Sequence, residues 1–294
     1  MAVVTADTVK ALPPHLDQAL RRMGEINSLP EITARIVQVV ENPLATAHDM
    51  HRIVHSDPAL AAKILKVVNS AFYGRPAQIA SLERAILMLG LSAVKNIALA
   101  ASLSRLFRAS AVSEQFAARD LWRHSVATAV CARALAKLGG AVEPDEAFVA
   151  GLMHDLGLIV EQQLFAPQLR RVAEQCYNTP QDFCAAERTV IGADHEAFGG
   201  ALASLWHFPP ALRHAIGYHH TPELLTAELA KIVGVVYVAD TLCSRTRLGL
   251  WLTSQTQEIS EAQLKAVGLV PDKLIGVMDD LVNPIEEADR VFLE

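Results

Sequence analysis

The chain has 294 residues, of which 51% are hydrophobic, 20% charged and 5% aromatic, enough for a large core or two packed lobes and too apolar for a disordered chain. Its formal net charge of −6 divides unevenly: residues 1–110 carry 12 Lys/Arg against 8 Asp/Glu, and the remainder carries 14 against 24. This asymmetry predicts two lobes that attract each other or meet different partners, and the scatter of the basic residues disfavours nucleic acid.

The opening stretch to Ser28 ends in a loop. From Pro30, which suits a first helical turn, Ile32, Ile36, Val37 and Val40 recur at helical spacing until Asn42-Pro43 stops them. A second helix is predicted over Ala47–Val54. Ser56-Asp57-Pro58 then reads as a cap with proline just inside, opening a helix through Leu60, Ile64, Leu65 and Val68. Residues 69–76 form a turn. Another helix follows Ser81 (Leu82, Ile86, Leu87, Leu89), halts at Gly90, and restarts after Ser92 through Ile97 to Leu106. This step is either a helix-turn-helix DNA reader or an ordinary corner between two helices. From Ala93 to Leu106 the only polar residues are Lys95, Asn96, Ser102, Ser104 and Arg105. That leaves little to offer base edges and favours the corner.

Residues 109–117, mostly small and polar, mark the predicted boundary. Beyond it the pattern predicts helices over Leu121–Leu138, Glu146–Glu161, Glu187–Trp206, Pro210–Tyr218 and Glu228–Leu248, and two amphipathic stretches after Ser260. No alternating strand pattern occurs, so the fold class is all-α.

Chemistry concentrates in this second region. His124 lies on its first helix. His154-Asp155 follows in Ala-Gly-Leu-Met-His-Asp-Leu-Gly, and His195 opens an apolar helix after Gly192-Ala193-Asp194. His219-His220 ends another helix, preceded by His214, and Asp240 lies late in Val-Tyr-Val-Ala-Asp-Thr. Neighbours on a helix point about 100° apart, so His154 and Asp155 converge only on something at the helix surface. Two imidazoles and two carboxylates suit a divalent ion such as Mn, Fe, Zn or Mg, with positions left for water and a phosphate oxygen. A metal-free hydrogen-bonded cluster is the other reading of the same residues.

In order, His124, His154, Asp155 and Asp240 resemble the signature quartet of the HD superfamily of metal-dependent phosphohydrolases. The chain is most similar to the HD-related output domain, HDOD, from about Leu29 to Leu248. The strings carrying the resemblance are Leu-Pro-Glu-Ile at 29–32, Ser-Asp-Pro-Ala-Leu-Ala-Ala-Lys-Ile-Leu at 56–65 and Val-Asn-Ser-Ala-Phe-Tyr-Gly at 68–74. Leu-Glu-Arg-Ala-Ile-Leu-Met-Leu-Gly at 82–90 and Leu-Trp-Arg-His-Ser at 121–125 complete them. The resemblance implies a two-lobed helical protein: an extension over 1–20, a helical lobe over 21–114, an HD-like lobe over 115–250 and a helical tail over 251–294. It implies a signalling output module, with the quartet as metal ligands and His195, His219, His220 and Arg123 as further ligands or pocket residues.

The related HD-GYP cyclic-di-GMP phosphodiesterases place a lysine where this chain has Leu158. After the histidine pair they continue with Glu and a Gly-Tyr-Pro signature, where this chain reads Thr221-Pro222-Glu223-Leu224. Loss of the lysine removes a charge that would stabilise a phosphoryl transition state. Regulation is therefore expected before catalysis, and a metal-dependent phosphohydrolase is the alternative. Expected partners are signalling proteins or a nucleotide second messenger, with a homodimer through apolar helix faces left open. The apolar runs are too short for a bilayer and Met1–Lys10 carries no signal-peptide pattern, so a cytoplasmic location without membrane contact is expected. Cys131, Cys176, Cys184 and Cys243 make no CxxC pair and are expected as free thiols.

Overall fold

The computed structural model describes residues 9–23, 31–70, 79–103 and 116–293. The expected helix start at Leu29-Pro30, the 71–76 part of the turn and the 109–115 part of the boundary lie outside them. The described residues fold as α-helices with no strand among them, as the pattern predicts.

Helix α1 (Pro14–Arg21) buries Leu16 and Leu20 against elements far along the chain. Helices α2 (Glu31–Glu41), α3 (Ala47–His55), α4 (Pro58–Val68), α5 (Leu82–Leu89) and α6 (Leu91–Leu103) pack together as a first group. Their starts follow the local chemistry. Thr46 and Asp49 form a reciprocal capping box on α3, Asp57 accepts from the Leu60 amide at 3.0 Å ahead of Pro58, and Ser81 caps α5. Ten of the thirteen residues of α6 are buried. That removes the DNA-reading alternative, because a recognition helix needs an exposed polar face.

The second group comprises α7 (Ala118–Gly139), α8 (Pro144–Met153), α9 (Leu156–Leu164), α10 (Ala166–Asn178), α11 (Phe183–Val190), α12 (His195–Leu205), α13 (Pro210–Tyr218) and α14 (Ala230–Arg245). Helix α7 is its axis, packed on α8 and α14. The α7–α8 approach needs a glycine: a Cβ on Gly151 would lie 2.9 Å from the Ala129 Cα and the Thr128 carbonyl. After α14 the chain returns through 251–258 over the second group, then forms α15 (Glu261–Ala266) and α16 (Val277–Leu293), which packs on α7 and α4. All four cysteines are buried and unbridged, and no described helix is long and apolar enough to cross a membrane.

Two predicted helices are each broken. The single helix over Glu146–Glu161 is α8 and α9, interrupted at His154-Asp155, where Asp155 adopts φ −88°, ψ 18°. The single helix over Glu187–Trp206 is α11 and α12, separated by a turn at 191–194 with Asp194 capping α12. Helices α1 and α10 were not predicted.

Candidate metal centre

Both helix breaks serve one place. His124 comes from α7, His154 and Asp155 from the α8–α9 junction, His195 from the first residue of α12, His219 and His220 from the end of α13, and Asp240 from α14. Six of these seven residues have no exposed surface, and the His220 side chain keeps 7%.

Asp155 is at the middle. Its Oδ2 lies 3.2 Å from His154 Nε2 and 3.7 Å from His124 Nε2, while its Oδ1 lies 3.6 Å from both His195 Nε2 and His219 Nε2. One carboxylate thus faces two sets of imidazoles. On one side His124 and His154 meet Asp155, with Asp240 Oδ1 3.0 Å from His124 Nε2. On the other, Asp155 meets His195, His219 and His220, whose Nε2 atoms lie 3.2 and 2.9 Å from that of His195. Two sets sharing one carboxylate go beyond the single four-residue site expected from the quartet.

The rings are held in the tautomer that ligation needs. His154 Nδ1 donates to the Gly151 carbonyl at 2.7 Å and His219 Nδ1 to the Ile216 carbonyl at 3.1 Å. Carbonyls only accept, so both rings carry the proton on Nδ1 and turn Nε2 inward. His195 Nδ1 lies 2.7 Å from Glu187 Oε2, leaving its Nε2 for the centre in the same way.

Burial disfavours charge on His154, but Asp155, with Asp240 and the Gly151 carbonyl, outweighs it and lifts the pKa to about 9. Burial also opposes ionisation of Asp155, and its histidine neighbours, His154 foremost, pull it well below the ordinary carboxylate range. His220 is driven well below the ordinary histidine range by burial and then by His219 and His195. The centre therefore calls for positive charge among its carboxylates while crowding its imidazoles. His124 Nδ1 and Nε2, His154 Nε2, both Asp155 oxygens and Asp240 Oδ2 are buried with no hydrogen-bond partner. Imidazole and carboxylate atoms this close converge on one region, and a divalent cation fits that donor set.

Around these residues are others that sequence reasoning missed. Glu187 orients His195 and also accepts its backbone N–H at 3.1 Å. Glu196 is fully buried, accepts from the His220 N–H at 2.8 Å and pairs with Lys10. Ser254 donates to Asp240 at 2.8 Å, and Gln257 contacts both His220 and Thr241. The tail segment 251–258 therefore closes the centre. Nothing ties Lys10, Glu187 or Gln257 to the histidines in sequence. Arg123 does not join the site: it is exposed on α7, because the residue before His124 faces outward when His124 faces in. His214 is buried beside Tyr218, ring centroids 6.1 Å apart, outside both ligand sets.

An all-α protein whose second group of helices encloses a histidine–aspartate centre is of the HD type. The HDOD domain model matches residues 26–222, and the chain belongs to the HDOD family. It is 26% identical over 226 residues to an uncharacterized protein of Treponema pallidum (strain Nichols), covering 74% of this chain and 42% of that one. The chain thus spans less than half the length of that relative. Among solved structures it resembles an HDOD domain protein of unknown function from Geobacter sulfurreducens, with TM-score 0.74, 23% identity and coverage of 97% and 94%. It also resembles a Marinobacter aquaeolei VT8 protein named for signal transduction, with TM-score 0.76, 23% identity and coverage of 97% and 63%. A Shewanella amazonensis SB2B protein bearing a phosphohydrolase name matches with TM-score 0.74, 21% identity and coverage of 95% and 98%. These likenesses establish the fold.

Proposed function

We propose that the chain is a regulatory signalling module whose centre holds divalent first-row transition ions as a clamp, and that it acts by binding partners and not by turnover. The observation that carries this reading is a ligand set both complete and sealed. Asp155 is shared by two groups of imidazoles, and the ligand residues are withdrawn from solvent beneath the 251–258 segment. A bound ion would supply charge neutralisation and fasten five elements together. Six of the seven residues have no exposed surface, and Leu158 and Thr221-Pro222 stand where an active cyclic-dinucleotide hydrolase carries its accessory groups. The partners in this reading are other signalling proteins.

Elemental analysis of protein expressed with Mn, Fe and Zn and purified without chelator is expected to find stoichiometric metal that Asp155→Asn loses. A metal-free wild type overturns the clamp. Assays with bis(p-nitrophenyl) phosphate and cyclic di-GMP, with Mn or Fe supplied, are expected to show no turnover. The completeness of the ligand set favours a metal-dependent phosphohydrolase as the second reading, in which a metal would polarise the phosphoryl oxygen and activate water. Hydrolysis that disappears in His154→Ala would establish that reading in place of the first.

A further inference from the structure

Where the two groups of helices meet there is a second feature, independent of the histidines. A cavity of about 100 Å³ lies between α6, α8 and the N-terminal ends of α13 and α14. Leu99, Val149, Ala150, Leu212 and Ile232 make an apolar wall. Such a wall alone would be ordinary imperfect packing between lobes. Asn96 makes it different. It is 8% exposed. Its carboxamide lines the cavity with no hydrogen-bond partner among the described residues, and it offers donors and an acceptor side by side. Glu146 lines the same cavity, carries no ion-pair partner among the described residues, and stands exposed at the rim. Partial burial, and then Glu143, push its carboxyl above the ordinary range, as expected of an acid facing an apolar opening with no cation beside it.

We propose that this cavity binds a small amino amide: a branched hydrocarbon body against Leu99, Val149, Leu212 and Ile232, a carboxamide paired with Asn96, and an ammonium group facing Glu146. Size agrees with the chemistry. One water needs about 10–15 Å³ of such space, so the cavity holds roughly seven to ten heavy atoms. Three of the four lining helices bear or lead directly into residues of the histidine–aspartate centre: His154 follows α8, His219 follows α13, and α14 bears Asp240. A ligand here touches the first group of helices through α6 and the centre's supports through the others. It would thereby act on both sides of the boundary between them.

The test is a titration of methyl-labelled full-length protein with L-leucinamide, a compound of about nine heavy atoms that carries all three features. Saturable shifts are expected at the Leu99, Val149, Leu212 and Ile232 methyls. Asn96→Ala, which removes no side-chain hydrogen bond among the described residues, should weaken binding at least about tenfold, and isoamylamine, which lacks the carboxamide, should bind wild type equally poorly. Glu146→Gln should weaken binding about threefold, with the difference shrinking at high salt. Ala150→Leu fills the cavity and should abolish the shifts. Absence of saturable shifts in wild type at about 10 mM leucinamide, or equal binding by wild type and Asn96→Ala, overturns the proposal.

Discussion

Glu187 and Glu161 are both fully buried, and burial drives both carboxyls well above the ordinary range. They stand together behind His195, and neither Glu161 oxygen finds a donor. One proton between them satisfies both, leaving Glu187 the acceptor for the ring. Glu187→Gln should therefore weaken metal binding about 10–100-fold by competition against a chelating dye, because the orientation of His195 is lost while all direct ligands remain. Glu161→Gln supplies the donor permanently. A carboxyl whose pKa is raised by folding contributes stability fully present below its unfolded value and lost as pH rises through the folded one. The variant should thus match wild type near pH 4 and gain on it as pH rises, read from chemical denaturation at several pH values. A difference that does not change with pH would show that no proton is held there. The histidines and Asp155 were legible because each lies in a recognisable string, whereas their supports sit in strings that carry no signal. Glu187 precedes His195 by eight residues on another helix, and Gln257 follows Asp240 from an irregular segment.

At the scale of elements, the helix break at His154-Asp155 makes the centre, and Gly157 makes the break tolerable. A Cβ at Gly157 would sit 1.8 Å from the His195 carbonyl oxygen, backbone against backbone. Gly157→Ala must therefore push α12 away from α9, costing about 3 kcal/mol of stability and displacing His195, measured by denaturation together with metal content. A folded variant with unchanged metal content would contradict the close approach. The turn before α12 gives an acid-side prediction. Asp194 accepts from the Ala197 amide at 2.9 Å, and although burial opposes its charge, Lys10, then His195 and the Ala197 amide, with Arg188, hold its pKa below the ordinary value. A depressed carboxylate contributes stability above its unfolded pKa and loses it as pH falls through the folded one. Asp194→Ala should thus cost about 1 kcal/mol at pH 7, with the gap to wild type closing below about pH 4. Neither interruption was readable from periodicity. Residues 146–161 keep a helical apolar pattern without proline, and it is the convergence of distant helices that turns Asp155 out of register. Pro210–Tyr218 was readable to the residue because its proline and its limit are local.

For the whole molecule, the all-α fold class and most helices of the first group followed from caps and spacing, but the two-sided use of Asp155 did not. The quartet ties α7 and α14 to the His154-Asp155 junction in sequence, but only the packing of α12 and α13 against them brings two ligand sets to one carboxylate. If ions bridge these elements, the folded state alone binds them, and stability becomes a function of metal concentration. Metal at 100 times its dissociation constant adds about 2.7 kcal/mol, enough to raise the thermal midpoint by roughly 5–8 °C. Removing metal with a chelator should lower the midpoint by that amount in wild type and leave Asp155→Asn unchanged. A ligand set running from His124 to Asp240, closed by Gln257, also has a consequence in time. At about 5–20 residues per second, synthesis separates the first ligand from the last by on the order of ten seconds. The nascent chain has no complete chelate to offer in that interval. Any ion the centre takes up is then chosen by whatever the cell holds free at the moment the finished chain closes.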